Sequence, residues 1–178
     1  MLAGYTGKYG RFEIERKFVL KLFPAGFSDE FQDLHDTYLP HSTLRLRIIR
    51  SPKGEVTGRN LTQKSKPPGS QDSVSIMTSL YLSEDDLSAL GSLNGAVIEK
   101  RRYFVETESN RISIDVFKGL FHGLILAEVE FRSEQERDAY SPPEEWAEVT
   151  GNRDYSCGFL AFHPESFATL PLESDIRP

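Results

Sequence analysis

Residues 13–17 read Glu13-Ile14-Glu15-Arg16-Lys17. On a β-strand, where successive side chains alternate sides, that spacing aims two carboxylates and an ammonium at one face. The flanking positions Phe12, Ile14 and Phe18 make the other face apolar, with Arg16 as the exception. One such strand would be an ordinary half-exposed one. The same alternation returns as Arg45 with Arg47, Lys64 with Lys66, Lys100 with Arg102, and Glu128 with Glu130. A solvated sheet face has no reason to sort its charges so regularly.

Runs of alternating apolar and polar residues on either side of this stretch predict strands at about 11–20, 43–50, 56–66, 73–82, 96–106, 111–118 and 124–132, with a weaker one near Thr37-Tyr38-Leu39. Pro52-Lys53-Gly54, Pro67-Pro68-Gly69 and Glu108-Ser109-Asn110 supply turn chemistry between them, so antiparallel hairpins are expected. Ser83 with Asp86 and Ser133 with Glu136 have the spacing of a capping box, in which a serine hydroxyl and a carboxylate three residues later satisfy free amides. The helix predicted after Ser83 carries Leu87 and Leu90 and is expected to cover a barrel wall. A short helix is expected near 153–162, and residues 166–178 read as a C-terminal tail on a single domain spanning 1–165.

A chain of 178 residues has room for one domain with a substantial core. Its net charge of −6 speaks against a nucleic-acid partner, which calls for a basic footprint. Cys157 is the only cysteine, so neither a disulfide framework nor a thiolate zinc site can form within one chain, and a reducing cytoplasm fits best. No apolar run approaches the roughly 20 residues that cross a bilayer, so no membrane partner is expected. A homodimer stays open.

If the strands curl into one closed antiparallel sheet, each has two faces to place. Leu44-Arg45-Leu46-Arg47-Ile48, Ile112-Ser113-Ile114-Asp115-Val116 and Ala127-Glu128-Val129-Glu130-Phe131 all divide apolar from charged residues. With helices covering the apolar outside, Lys17, Arg45, Arg47, Lys64, Lys100 and Arg102 line the lumen opposite Glu13, Glu15, Asp115, Glu128 and Glu130. Burying an unpaired charge costs several kcal/mol, so this lumen must stay wet or hold a ligand that neutralises both signs. A polyphosphate chelated by divalent cations does so, because Mg²⁺ and Mn²⁺ prefer carboxylate oxygens while arginine and lysine suit phosphate oxygens.

These residues resemble the CYTH proteins, or triphosphate tunnel metalloenzymes, especially their short bacterial-type members. The first-strand signature Glu-x-Glu-x-Lys matches Glu13, Glu15 and Lys17. Leu44-Arg45-Leu46-Arg47 resembles the paired-arginine strand, Leu61-Thr62-Gln63-Lys64 the lysine strand, and Glu99-Lys100-Arg101-Arg102-Tyr103 the later basic strand. Ile114-Asp115-Val116-Phe117 and Leu126-Ala127-Glu128-Val129-Glu130-Phe131 resemble the acidic strands that follow. The resemblance covers most of the chain and implies an α+β fold, an eight-stranded antiparallel β-barrel with a polar lumen and a few flanking helices.

It also implies divalent-metal-dependent hydrolysis of a triphosphate, either inorganic tripolyphosphate or a nucleoside or organic triphosphate. Glu13, Glu15, Asp115, Glu128 and Glu130 would hold one or two Mg²⁺ or Mn²⁺ ions. Lys17, Arg45, Arg47, Lys64, Lys100 and Arg102 would clamp the substrate, and Glu13, Glu15, Lys17, Glu128 and Glu130 would form the catalytic set. The alternatives are a class IV-type adenylate cyclase and a non-catalytic module that binds polyphosphate or nucleotides. Two departures bear on the choice. Residues 73–79 carry none of the charge that the family places on its fifth strand, and residues 154–160 lack its C-terminal basic residue. An acidic lumen position and a basic contact from the plug helix are therefore expected to be missing.

Overall fold

The computed structural model describes residues 9–26, 30–106 and 110–170. One sheet holds nine strands: β1 (Arg11–Val19), β2 (Phe31–Tyr38), β3 (Leu44–Arg50), β4 (Val56–Ser65), β5 (Val74–Tyr81), β6 (Ala96–Glu106), β7 (Asn110–Phe117), β8 (Ile125–Phe131) and the two-residue β9 (Ala147–Glu148). Their order is β5-β4-β3-β2-β6-β7-β8-β1-β9, and β1 also pairs with β5, closing eight strands into an antiparallel barrel as expected.

β1 is the seam of this barrel. Its first part, from Arg11 to Ile14, pairs with β5, whereas Phe18 and Val19 pair with β9, a strand the sequence did not announce. Between these partners, the Glu15 amide donates to the Ser73 carbonyl at 2.9 Å and the Lys17 amide to Thr150 Oγ1 at 2.9 Å. The Glu15 and Lys17 amides of the signature strand thus both find acceptors where the sheet changes partners. Gly54 and Gly69 close the β3–β4 and β4–β5 turns with φ of 84° and 74°, conformations that favour glycine. Of the third expected turn, Glu108 and Ser109 lie outside the described residues, and Asn110 opens β7.

β2 is a full eight-residue strand rather than a weak run near 37–39. Its pattern is hard to read because both faces carry acid. Asp33 points outward to Arg101, at 2.9 and 3.1 Å, and to Lys118 at 2.7 Å, while Asp36 points inward.

Among the helices, α1 (Glu84–Leu90) opens with the expected Ser83–Asp86 capping box but buries none of its residues, and Leu90 stays 41% exposed. It does not cover a barrel wall: its first turn is Glu84-Asp85-Asp86, and Glu84 pairs with Arg59 at 3.5 Å. α2 (Glu134–Ala139) is capped by Ser133, whereas the Glu136 carboxylate accepts from the Arg132 amide at 2.9 Å rather than from Ser133. α3 (Cys157–Phe162) follows a 3₁₀ turn at Arg153–Tyr155, and α4 (Pro164–Phe167) follows α3.

The core lies in two clusters. The first, outside the barrel, gathers Phe18, Ile114, Ala127, Val129, Phe131 and Trp146, with Tyr140 packed against it. The second gathers Ile98, Phe117 and Leu126 against Phe121, Tyr155, Cys157 and Leu160. By strand alternation Ile98 shares the face of Lys100, Phe117 that of Asp115, and Leu126 that of Glu128. The second cluster is therefore an apolar layer across one end of the lumen, sealed by α3. Phe167 continues it, with its ring 5.5 Å from that of Phe121, and Leu170 packs beside it. Of the segment read as a tail, 171–178 lie outside the described residues.

Candidate active site

Above the apolar layer lies a cavity of about 1070 Å³. Glu13, Glu15, Lys17, Arg45, Arg47, Lys64, Lys100, Arg102, Glu128 and Glu130 all line it, from β1, β3, β4, β6 and β8. Strand register brings them together: Lys17 lies opposite Glu128, Glu15 opposite Glu130, and Arg47 opposite Asp36. Cross-strand partners share a face, so closure turns every one of these pairs inward.

Asp115 has a different place from the rest of the expected metal set. It is absent from the cavity lining and only 1% exposed. Its Oδ2 accepts from Lys100 Nζ at 2.5 Å, and both of its oxygens accept from Arg102, at 2.6 and 2.6 Å. It is a buried counter-ion on the inward face of β7, taken up by two cations. Lys66 pairs with Asp72 on the β4–β5 loop and does not line the cavity.

The lumen's opposite charges are engaged with one another. Lys64 Nζ lies 2.7 Å from Glu13 Oε2 and 2.8 Å from Glu15 Oε1. Glu128 meets Lys17 at 3.1 Å and Arg102 at 2.7 Å. Burial alone would raise the Glu128 carboxyl, but Lys17, Arg102 and Lys100 hold it well below the usual carboxylate range. Desolvation would likewise lower Lys17 and Lys64; Glu128 and Glu15 hold Lys17 above its ordinary value, and Glu15 and Glu13 do so for Lys64.

Glu130 behaves in the opposite sense. Desolvation, then the nearby Glu13, with Glu128 and Glu15, raise its carboxyl against the pull of Arg111. No ion pair or hydrogen bond joins the Glu130 side chain to another described residue. A carboxylate so placed, with three others around it, is short of positive charge.

Other residues on the cavity wall carry less of a signal in the sequence. Arg11 and Arg111 line it, and extending the period of two from Glu13 and from Asp115 would have found both. Arg153 also lines it, its guanidinium 4.3 Å from the Phe159 ring, so the segment before α3 does bring a basic group to the cavity. The fifth strand contributes Met77, Ser79 and Tyr81 to the lining, all uncharged, and Ser75 Oγ donates to Glu13 at 3.4 Å. Asp36, fully buried against Arg47, was missed because β2 itself was misread.

Arg16, the exception on β1, lies on the outer wall. It binds Glu148 through two nitrogens, at 2.9 and 2.7 Å, and the Tyr140 carbonyl at 2.8 Å, tying β9 and the segment after α2 to the seam.

Comparison with known proteins gives this arrangement a family. An inorganic triphosphatase of Nitrosomonas europaea is 31% identical over 153 residues, which is 84% of this chain and 96% of that protein. The chain belongs to the CYTH, or triphosphate tunnel metalloenzyme, family. A crystal structure of an inorganic triphosphatase matches with a TM-score of 0.55 and 28% identity, over 84% of this chain and 93% of that one. Another, of a protein described only as hypothetical, gives 0.55 and 30%, over 84% and 97%. No family model matches the chain. As in the CYTH signature, Glu13, Glu15 and Lys17 share one face of the first strand, and here that face is the lumen. Among the described residues, no helix is long and apolar enough to cross a membrane.

Proposed function

We propose that this chain hydrolyses a triphosphate in the polar part of its tunnel, with inorganic tripolyphosphate as the first candidate. One observation carries the reading: the six expected cations, joined by Arg11, Arg111 and Arg153, and the carboxylates Glu13, Glu15, Glu128 and Glu130 line one cavity that an apolar layer seals at one end. The similarity to an inorganic triphosphatase supports it. Phosphoryl transfer asks the protein mainly for positioning and charge neutralisation. Lys17, Arg45, Arg47, Lys64, Lys100 and Arg102 would bind the phosphate oxygens and hold the terminal phosphorus in line with an attacking water, giving orthophosphate and pyrophosphate. A lumen carboxylate would accept the proton released by that water.

The donor set suits a divalent ion, Mg²⁺ or Mn²⁺. Lys64 already places a cation between Glu13 and Glu15, whereas Glu130, opposite Arg111 on β7, has no ion pair among the described residues. Among the described residues, no three Asp, Glu, His or Cys side chains form a ready metal cage. Mg²⁺ is usually held by one or two carboxylates together with substrate phosphates, so the ion need not engage all four lumen carboxylates at once. Glu13, Glu15, Glu128 and Glu130 would hold the ion; Asp115, committed to Lys100 and Arg102, would not. When bound, the ion would neutralise phosphate charge and acidify water.

Phosphate release from tripolyphosphate, measured with Mg²⁺, with Mn²⁺ and with chelator, tests the proposal. Turnover untouched by Glu128→Gln together with Glu130→Gln would remove these carboxylates from the chemistry. The uncharged inner face of β5 favours one other reading, a module that binds polyphosphate without cleaving it. Tight binding by calorimetry with no turnover under either metal would favour that module.

A further inference from the structure

We propose that Asp36 is a positioning residue of the tunnel: it locks Arg47 in place and leaves the Nε of the neighbouring Arg45 unbonded, so a phosphate chain meets one guanidinium already held by a carboxylate and one with a donor still to satisfy. The inference rests on the phosphate-binding reading above and adds a residue to it.

Asp36 is 0% exposed and lies opposite Arg47 in the β2–β3 register. Its two oxygens accept from Arg47 Nε and Nη2, both at 2.6 Å, a fork-to-fork pair that fixes the plane of the guanidinium. Asp36 engages Nε and Nη2, so Nη1 is the Arg47 nitrogen that this carboxylate does not hold, and Arg47 lines the cavity. Arg102 repels the Arg47 guanidinium, and the Asp36 carboxylate offsets that repulsion.

Arg45, two residues along the same strand face, is treated differently. Its Nε lies 3.9 Å from Asp36 Oδ1, within reach of the charge but beyond hydrogen-bond distance, whereas Arg47 Nε reaches the same oxygen at 2.6 Å. Arg45 Nε is a buried nitrogen without a hydrogen-bond partner. Leaving such a donor unmet is costly, and a shift of the Arg45 side chain towards a phosphate oxygen in the cavity would relieve it.

Initial rates with tripolyphosphate test the proposal. Asp36→Asn is expected to raise KM about tenfold to a hundredfold, with a smaller change in kcat, as loss of a charge-assisted contact and slight misplacement would do. Arg47→Ala should do the same, and the double variant should add less than about a further twofold, because both changes remove one positioned group. An unchanged KM for Asp36→Asn, or effects that multiply in the double variant, would overturn the proposal.

Should Asp36→Asn fail to fold, arginine side-chain NMR on the wild-type protein keeps the question open to refutation. Without ligand, the Arg47 Nε proton should exchange with solvent far more slowly than that of Arg45, and tripolyphosphate should shift Arg45 more. The reverse order overturns the role of Asp36. A wild-type protein that neither binds nor cleaves tripolyphosphate would instead sink the functional reading, while the ligand-free exchange rates would still judge Asp36.

Discussion

Along the inward face of β6 the chain passes from Ile98 to Lys100 and Arg102; along β8 it passes from Leu126 to Glu128 and Glu130, and along β7 from Phe117 to Asp115. One end of the barrel is filled with hydrocarbon and closed by Leu160 of α3, while the rest is lined by charge. Strand geometry and alternation are the same in both regions, so neither explains the difference. What differs is the cover. Against an apolar layer, water is excluded and ion pairs such as Lys100 with Asp115 gain strength. Above it, the charges need water or a ligand, because desolvating them would cost more than their mutual attraction returns.

The largest blow to this division should come from Asp115→Asn. It leaves Lys100 and Arg102 short of their buried counter-charge and should cost about 3–5 kcal/mol in urea unfolding. A metal ligand would show the other pattern: little change in the metal-free protein and weaker metal binding. Next comes the dry end itself, where Leu160→Ala should cost about 2–5 kcal/mol through the cavity it opens. A loss below 1 kcal/mol would mean that α3 is not the seal described. On the outer wall, by contrast, Arg16→Ala breaks a partly solvated pair with Glu148, whose charge–charge contribution should not exceed about 1 kcal/mol.

The two regions also respond differently to pH. Burial would raise the carboxyls of Asp36 and Asp115, but Arg47 for the first and Arg102 with Lys100 for the second hold them low. Groups whose folded values are depressed contribute stability that is fully present above their unfolded values and is lost as pH falls through the folded ones. The Tm should therefore stay level down to about pH 5 and drop below about pH 4, less steeply for Asp115→Asn. Glu130 has the opposite sign: its raised carboxyl costs stability once pH rises past its folded value. Without metal, Glu130→Gln should thus raise Tm at neutral pH, by no more than about 4 °C, while weakening binding of Mg²⁺. A lower Tm in that variant would refute the charge-poor setting assigned to Glu130.

Much of this site was legible because alternation is written directly into the chain. Glu13, Glu15 and Lys17 share a face whatever surrounds them, and so do Arg45 with Arg47 and Glu128 with Glu130. The roles of single residues were less legible. Asp115 has the same local signature as Glu128 and also faces inward, yet only Glu128 lines the cavity. β2 was hidden because Asp33 serves the outside and Asp36 the inside, which blurs the expected contrast. Leu87 and Leu90 have helical spacing, but α1 has no wall to lean on. Arg153 was passed over because only the fold carries its turn to the cavity.

The amino-acid sequence alone determined which side chains share a strand face, where the chain turns, and that opposite charges must gather on one side of a curled sheet. These are properties of neighbours two to four residues apart, set by backbone geometry. Tertiary structure decided which end of the barrel is dry, which carboxylates face the cavity, and that Asp36 sits beneath two arginines. Those outcomes depend on register, closure and the docking of α3, contacts between residues far apart in the chain that no local pattern encodes.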